Sequence, residues 1–400
     1  MSTFINVATD VWIAGAFSHE TDLQCYSGFL YCCPDAPDDT GYTGAEEYGF
    51  EALRKRLPDV GAVWLPLSVP LLPATAFPEG SQEEDERVFH ALKLYGKYQE
   101  ALASLPRPLL ISCKSNRRAG FVWAVFDYLD HLGQGDEKSV AAYVEACKEK
   151  GILFGGTPQL LLLFNTIVVH ITRVKSSNGL LFRQLFDKAS STYTYLLADM
   201  ESKQAILIDP VMEMAERDAK LITQLGLMLV LGVNTHVHAD HITGTGKLKA
   251  LLPSARSAIA RISTAQADVL FDDYAALPFG SRRLFAISTP GHTQGCTSFV
   301  LFEAGSTLVF TGDALLIRGC GRTDFQGGSA ETLYDSVHSR LFTLPKSAVV
   351  WPAHNYEVLH NPRPNPYSYP YPYPYPNPNP KRTIKRTTNN CITLDHLNHP

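Results

Sequence analysis

The sequence Thr235-His-Val-His-Ala-Asp-His241 places three imidazoles and one carboxylate within seven residues. The apolar run Leu227–Val233 precedes it and Gly244 follows it, so we expect a loop that joins a strand to a helix. Side chains two positions apart in an extended chain point the same way, which lets His236 and His238 face one point. Imidazole and carboxylate are common ligands of zinc, iron and manganese. The stretch therefore predicts a metal site.

Three further candidate ligands each follow an apolar run that is predicted to be a strand. The runs and their ligands are Leu284–Ser288 with His292, Thr307–Phe310 with Asp313, and Ala348–Val350 with His354. Polar groups at the ends of separate strands project from one edge of a sheet and can build a single site. We therefore expect these three side chains to complete the site begun by residues 236–241.

The segment around these ligands is predicted to alternate between strands and helices. Strands are expected at Tyr193–Ala198 and Ala205–Asp209, and helices at about 211–225, 244–252 and 331–341. The motif His-x-His-x-Asp-His, followed by His292, Asp313 and His354, resembles that of the metallo-β-lactamase superfamily over about residues 178–356. The resemblance implies an αββα sandwich for this domain. We expect the domain to extend over residues 178–360.

A narrower resemblance rests on the segment Thr311–Gln326, which has the sequence TGDALLIRGCGRTDFQ. Together with His238–Gly244 and Ser336–His338, it is similar to the persulfide dioxygenase family, also called the ethylmalonic encephalopathy protein family. Glyoxalase II shares the ligands and a Gly-Cys-Gly-Arg stretch. The flanking sequences ALLIR and RTDFQ favour the dioxygenase.

The dioxygenase resemblance implies oxidation of glutathione persulfide by O2 to sulfite and glutathione. One Fe(II) per chain would be held by His236, His292 and Asp313, which leaves open positions for the persulfide sulfur and O2. Four further groups would orient ligands and water around the iron, namely His238, Asp240, His241 and His354. The resemblance also assigns Arg322 and Tyr356 to the glutathionyl part of the substrate, and the planar guanidinium of Arg322 suits a carboxylate.

Two alternatives use the same residues differently. A thioesterase similar to glyoxalase II would hold two zinc, iron or manganese ions, between which a bridging hydroxide attacks a thioester. Its metals would be bound by His236, His238 and His292 and by Asp240, His241 and His354, with Asp313 bridging. A binding or scaffold protein with an impaired metal site is the third hypothesis, because the likeness to the family stops near Glu357.

The first third of the chain carries a different candidate site. Pro108–Ser112 is predicted to be a short buried strand, and Phe121–His131 a helix. The cysteine loop between them, Cys113–Gly120, would give Cys113 backbone N–H groups and the positive end of the helix. Arg117 and Arg118 add charge. Such a loop lowers the pKa of a thiol and binds phosphate or sulfur oxyanions.

The cysteine loop resembles those of tyrosine-phosphatase-like and rhodanese-like domains, and residues 6–15 resemble the start of the phosphatase-like module of β-lactamase hydrolase-like proteins. The resemblance implies an α/β phosphatase-like domain over residues 1–150. Phosphatases carry an arginine six residues after the cysteine, where this chain has Ala119, whereas Arg118 satisfies the rhodanese spacing of five. Ser112 stands where phosphatases have histidine. Catalysis at Cys113 and a purely structural or anion-binding loop both remain open.

Composition indicates a soluble protein of two domains. A chain of 400 residues with a formal net charge of −5 gives no sign of nucleic-acid binding. Eight cysteines in no paired pattern indicate a reducing compartment. Met1–Asp10 lacks the features of a secretory signal or a mitochondrial presequence, so we expect a cytoplasmic location, although the family resemblance admits the mitochondrion. A homodimer is compatible with the family.

Two segments flank the predicted metal domain. Residues 151–177 are predicted to be an apolar connector, and Gly151–Thr172 carries no acidic or basic side chain. The sequence Gly155-Gly-Thr-Pro158 interrupts it, so we expect a buried helix or strand and not a membrane span. Residues 361–380 are rich in proline, tyrosine and asparagine, and the whole segment 361–400 is predicted to be a disordered tail.

Overall fold

The structure is a computed structural model that describes residues 4–14, 23, 25–32, 61–65, 78, 80–113, 117–135, 138–176, 179–303, 305–354 and 392–393. The chain divides into two compact units, Met1–Thr172 and Arg173–Pro400. Tyr356 and most of the predicted tail lie outside the described residues.

The first unit contains a five-stranded sheet. Its strands are β1 (Phe4–Ala8), β2 (Val11–Ala14), β3 (Gly28–Tyr31), β4 (Gly61–Trp64) and β5 (Leu109–Ser112). They lie in the order β1-β2-β5-β3-β4; β1 and β2 are antiparallel and the other pairs are parallel. β5 is central and every residue in it is buried, as expected of a strand that is covered on both faces. The strand predicted at Pro108–Ser112 is thus confirmed, one residue shorter.

Four α-helices are described between residues 82 and 176. They are α1 (Gln82–Ser104), α2 (Arg117–Gly133), α3 (Val140–Glu149) and α4 (Pro158–Ser176). α1 begins after Ser81, whose hydroxyl accepts a hydrogen bond from the Glu84 N–H at 3.2 Å. α2 confirms the helix predicted at Phe121–His131 but begins four residues earlier, which brings its first turn close to Cys113.

The apolar connector forms α4 over most of its length. The proline at its first position suits a helix start, because that residue's N–H would lack a partner within the helix. Leu160, Phe164, Ile167 and Ile171 are buried at a spacing of three or four residues, so one face of the helix packs inward. In the described part of the chain, no helix has both the length and the apolar content needed to cross a membrane.

The second unit is built on two six-stranded sheets. The first has the order β11-β10-β9-β8-β7-β6 and the second the order β12-β13-β14-β15-β16-β17. The strands of the first sheet are β6 (Leu180–Asp187), β7 (Thr192–Asp199), β8 (Gln204–Ile208), β9 (Met228–Val233), β10 (Arg256–Ala260) and β11 (Val269–Phe271). The strands of the second are β12 (Ala276–Phe279), β13 (Arg282–Ser288), β14 (Thr297–Glu303), β15 (Ser306–Gly312), β16 (Val349–Pro352) and β17 (Ile392–Thr393). β17 comes from the predicted tail and pairs antiparallel with β16.

Three helices of this unit match the predicted ones in place. They are α5 (Ala215–Gln224), α6 (Thr245–Leu251) and α7 (Ala330–Ser336). The helix predicted at 331–341 has two parts, because a π-helical turn at Val337–Leu341 follows α7. The helix predicted at 211–225 begins with a 3-10 turn at Met212–Met214.

The core of the second unit lies between the two sheets. Tyr195 and Ile206 of the first sheet pack in one apolar cluster with Phe299 and Phe310 of the second. The opposite face of the first sheet packs on α5 and α6 through a second cluster that includes Leu196. Alternate residues of β7 therefore serve the two faces of the sheet, as the geometry of a strand requires.

A buried ion network also joins the two sheets. Arg282, at the start of β13, donates to Asp199 at the end of β7 over 3.0 Å and to Glu303 at the end of β14 over 2.8 Å. Burial opposes the ionisation of Asp199, but hydrogen bonds from Ser281 and Ser202 hold the pKa of that carboxyl below its usual range. A buried arginine of this kind is stable only because its charge is matched.

Candidate metal centre

The ends of four strands bring the predicted ligands together. His236 follows β9, His292 follows β13, Asp313 follows β15 and His354 follows β16. His236, His292 and Asp313 are all buried, and each offers a ligand atom within 4.8 Å of the other two. The sandwich thus places two imidazoles and one carboxylate around one point, as the sequence predicts.

His236 is held by a relay that ends on Asp209. The Thr235 hydroxyl donates to Asp209 Oδ2 at 2.8 Å, so its oxygen is left to accept a hydrogen bond from His236 Nδ1, 2.9 Å away. A proton on Nδ1 leaves Nε2 with its lone pair for a metal. Burial and the neighbouring imidazoles hold the pKa of His236 well below its usual value, which favours the neutral form that binds metals.

His292 is oriented by the backbone of the following loop. Its Nδ1 donates to the carbonyl oxygen of Arg322 at 2.7 Å, and its Nε2 lies 3.6 Å from Asp313 Oδ2. A Cβ on Gly321 would meet His292 Nδ1 at 2.7 Å, so this approach of the loop to the ring requires glycine. The Gly-Cys-Gly-Arg stretch therefore orients His292 through its backbone.

His238, Asp240 and His241 form a second cluster whose ligand atoms also lie within 4.8 Å of one another. His238 Nε2 contacts Asp209 Oδ1 at 3.0 Å, and His241 Nδ1 contacts Asp240 Oδ2 at 2.9 Å. The His238 and His241 side chains are buried, whereas the Asp240 carboxylate is partly exposed. His354 Nε2 lies between the clusters, 3.4 Å from Asp313 Oδ1 and 3.6 Å from Asp240 Oδ2.

Several buried polar atoms at this centre fit a metal. His238 Nδ1, His241 Nε2 and Asp313 Oδ1 have no hydrogen-bond partner within the described residues. A buried polar atom without a partner costs free energy, and a cation that binds these atoms removes that cost. Burial alone would lower the pKa of His238, but the carboxylates of Asp209 and Asp240 raise it.

The two predicted substrate residues have different outcomes. The Arg322 guanidinium is exposed and makes a two-pronged ion pair with Asp324, at 2.8 and 3.0 Å, and it lies 5.5 Å from the centre of the Phe325 ring. It is therefore at the surface beside the loop that holds His292. Tyr356 lies outside the described residues.

Cys113 is positioned by α2 as the sequence predicts. The Ala119 N–H, in the first turn of α2, donates to the Cys113 sulfur at 3.4 Å. Arg117 is exposed, whereas the Arg118 side chain is partly covered and its Nε atom is buried. Residues 114–116 of the cysteine loop lie outside the described residues.

Asp209 is the functional residue that the sequence reasoning missed. The sequence predicts Asp209 only as the last residue of a strand. Its carboxylate accepts hydrogen bonds from the Thr235 N–H, the Thr235 hydroxyl and the His238 ring. The signal was available, because Asp209 is a carboxylate that ends an apolar run, like Asp313. Its left-handed backbone conformation, with φ of 49°, turns the chain away from β8 at that point.

Comparison with known proteins supports the chemistry of this centre. The family model of the metallo-β-lactamase superfamily matches residues 188–354. A mitochondrial persulfide dioxygenase, ETHE1 of Bos taurus, is 57% identical over 184 residues, which cover 46% of this chain and 72% of that protein. The chain belongs to the persulfide dioxygenase family. The second unit accordingly has the metallo-β-lactamase fold.

Two further similar proteins match different shares of this chain. The crystal structure of ETHE1 from Myxococcus xanthus is 45% identical, covers 44% of this chain and 76% of its own, and has a TM-score of 0.42. A beta-lactamase hydrolase-like protein of Xylella fastidiosa is 24% identical over 291 residues, which cover 65% of this chain and 63% of that protein. The second match extends over more of the chain than the match to the Bos taurus protein.

The relay to His236 gives a first prediction for this family member. Thr235→Val removes the hydroxyl that fixes the His236 ring, so the metal affinity should fall by roughly 10–100-fold, the usual effect of losing such a partner. Competition with a chelator measures it. Thr307→Val, at a buried threonine in β15, is the matched control and should keep the affinity. Equal affinities in the two variants would remove Thr235 from the centre.

Proposed function

We propose that this protein is an iron-dependent persulfide dioxygenase that oxidises glutathione persulfide to sulfite and glutathione. The observation that carries the proposal is the buried set of His236, His292 and Asp313, in a chain that is 57% identical over 184 residues to a persulfide dioxygenase. The reaction consumes one O2 and one water for each persulfide. The thiol leaves as glutathione and the outer sulfur gains three oxygens.

The side chains of the metal centre would have different roles around a single Fe(II). His236 and His292 present Nε2 because Thr235 and the Arg322 carbonyl hold their Nδ1 protons, and Asp313 supplies the charge. An iron held by two imidazoles and one carboxylate would keep open positions for the persulfide sulfur and O2. Asp240 keeps its pKa below the usual range because His241 and the nearby imidazoles outweigh its burial, so it stays an acceptor that orients His241.

A two-metal thioesterase is the second candidate, and one observation favours it. His238, Asp240 and His241 offer a second set of ligand atoms, two of which lack a hydrogen-bond partner within the described residues. A hydroxide between two metals would attack the carbonyl of a glutathione thioester. His241 and Thr192 both donate to Oδ2 of Asp240, so a second metal would bind this carboxylate through Oδ1.

Metal content and oxygen uptake together separate these candidates. The purified full chain should hold about one iron, and it should consume O2 when glutathione persulfide is added. His236→Ala should abolish both, because it removes a ligand from the buried set. Two metals per chain with hydrolysis of lactoylglutathione and no O2 uptake would establish the thioesterase. A chain without metal or activity would favour the scaffold protein.

Arg322 is proposed to bind a carboxylate of the glutathionyl group. Arg322→Ala should raise KM for glutathione persulfide by roughly 10–100-fold, since a hydrogen bond to a charged group is worth about 1.5–3 kcal/mol. Iron content should not change, because the hydrogen bond from His292 goes to the backbone carbonyl of Arg322, which the substitution keeps. Asp324→Asn weakens the competing ion pair and should leave KM unchanged or lower it. A normal KM in Arg322→Ala would exclude this role.

Cys113 is proposed to accept sulfane sulfur, supported by the Ala119 N–H and by Arg118 at the start of α2. With thiosulfate, its thiolate would form a bond to the outer sulfur and sulfite would leave. Mass spectrometry of the full-length His236→Ala protein should then find one added sulfur on the Cys113 peptide. Arg118→Ala should reduce the uptake, and Arg117→Ala, at its exposed neighbour, should not. Sulfur on the exposed Cys25 in place of Cys113 would contradict the proposal.

The buried cysteines bear on the cellular compartment of the protein. Cys32, Cys113, Cys147 and Cys296 are buried thiols, which suits a reducing compartment. We propose the cytoplasm or the mitochondrion, the second because the Bos taurus relative carries that location in its name.

A further inference from the structure

A second cysteine stands beside Cys113 at the edge of the first sheet. β3 and β5 are parallel neighbours with Tyr31 opposite Ser112, so Cys32 and Cys113 occupy the next matching position. The Cys32 N–H donates to the Ser112 carbonyl at 2.9 Å, which continues the pairing past the strand ends. Neighbouring strands lie about 4.8 Å apart, and the Cα atoms of a disulfide lie about 4.4–6.8 Å apart.

Both thiols face the same buried tyrosine of α1. The Tyr98 hydroxyl donates to the Leu65 carbonyl at 2.9 Å and is hydrogen-bonded to the Cys32 side chain. Burial, then Cys32 and Cys113, raise the pKa of Tyr98 well above its usual value, so both sulfurs lie close to its oxygen. Cys32 and Cys113 are each almost fully buried. Their side chains therefore share one small space under α1.

The surroundings of the two sulfurs differ in a way that assigns their roles. Cys113 receives the Ala119 N–H at the positive end of α2, and Arg118 lies near the same Tyr98 as both sulfurs, so positive groups face a negative charge that develops on the Cys113 sulfur. Cys32 lies against the neutral Tyr98 hydroxyl. An oxidant should therefore react first at Cys113, and Cys32, at the matching position on the neighbouring strand, is placed to respond.

We propose that Cys32 and Cys113 form a reversible disulfide in which Cys32 resolves an oxidised Cys113. The Cys113 thiolate attacks a peroxide, its sulfur gains an OH group, and hydroxide leaves as the O–O bond breaks. Cys32 then attacks that sulfur and its proton leaves with the OH group as water. Two thiols lose two electrons to one peroxide. A dithiol reductant restores the pair.

This disulfide would protect Cys113 from further oxidation and would also block its reactions as a thiol. A sulfenic acid that finds a thiol stops at the disulfide, whereas one without a partner proceeds to sulfinic acid and is lost. The proposal stands on the register of β3 and β5 and does not depend on the iron chemistry of the second unit.

Peptide mapping of the full chain after mild hydrogen peroxide treatment tests the proposal. The wild type should yield a Cys32–Cys113 disulfide peptide that disappears after dithiothreitol. Cys32→Ser should lose that peptide and accumulate sulfinic acid at Cys113. Cys33→Ser, at the adjacent residue, is the matched control and should keep the disulfide. Cys32→Ala repeats the test should the serine variant fold poorly.

Three outcomes would overturn the proposal. The first is a Cys113 peptide that stays reduced in the wild type while the exposed Cys25 is oxidised. The second is a disulfide from Cys113 to Cys33 or to another cysteine. The third is sulfinic acid at Cys113 to the same extent in the wild type and in Cys32→Ser.

Discussion

The buried carboxylate of Asp209 is the interaction on which the metal centre depends. It accepts hydrogen bonds from the Thr235 backbone, the Thr235 hydroxyl and His238 Nε2, and so fixes both ends of the segment 235–238. A carboxylate in this position would be costly without donors, and a loop of histidines would have many conformations without a carboxylate. Each therefore determines the other. The hydrogen bond between Thr235 and Asp209 sets the orientation of the His236 ring, which the neighbouring sequence does not specify.

The sandwich supplies the remaining constraint. β9 belongs to one sheet, while β13, β15 and β16 belong to the other, so the ligands converge only if the two sheets stay in register. The apolar cluster between them holds the sheets face to face, and Arg282 ties β7 to β13 and β14 through matched buried charges. Rigid strands with ligands at their ends are the usual way to hold a reactive site in one geometry.

Both candidate sites suit sulfur chemistry. The second unit offers two imidazoles and a carboxylate, which suit a metal ion that keeps open positions for a substrate. The first offers a thiol at a helix start with a neighbouring thiol in register. Whether the metal centre holds one ion or two depends on His238, Asp240 and His241. This set differs from the first in its partly exposed carboxylate and in the hydrogen bond between Asp240 and His241.

The sequence alone determined the motif of residues 235–241, the ligands at the ends of later strands, several strands and helices of the second unit, and the cysteine loop before α2. These features are local, because periodicity and strand-end polarity depend on neighbouring residues. The tertiary structure decided which histidine nitrogen faces the centre, that Asp209 anchors the loop, that Arg322 pairs with Asp324, and that Cys32 lies beside Cys113. Those contacts join residues that the sequence separates by 2 to 81 positions, and a partner at such a distance is chosen by packing and strand register.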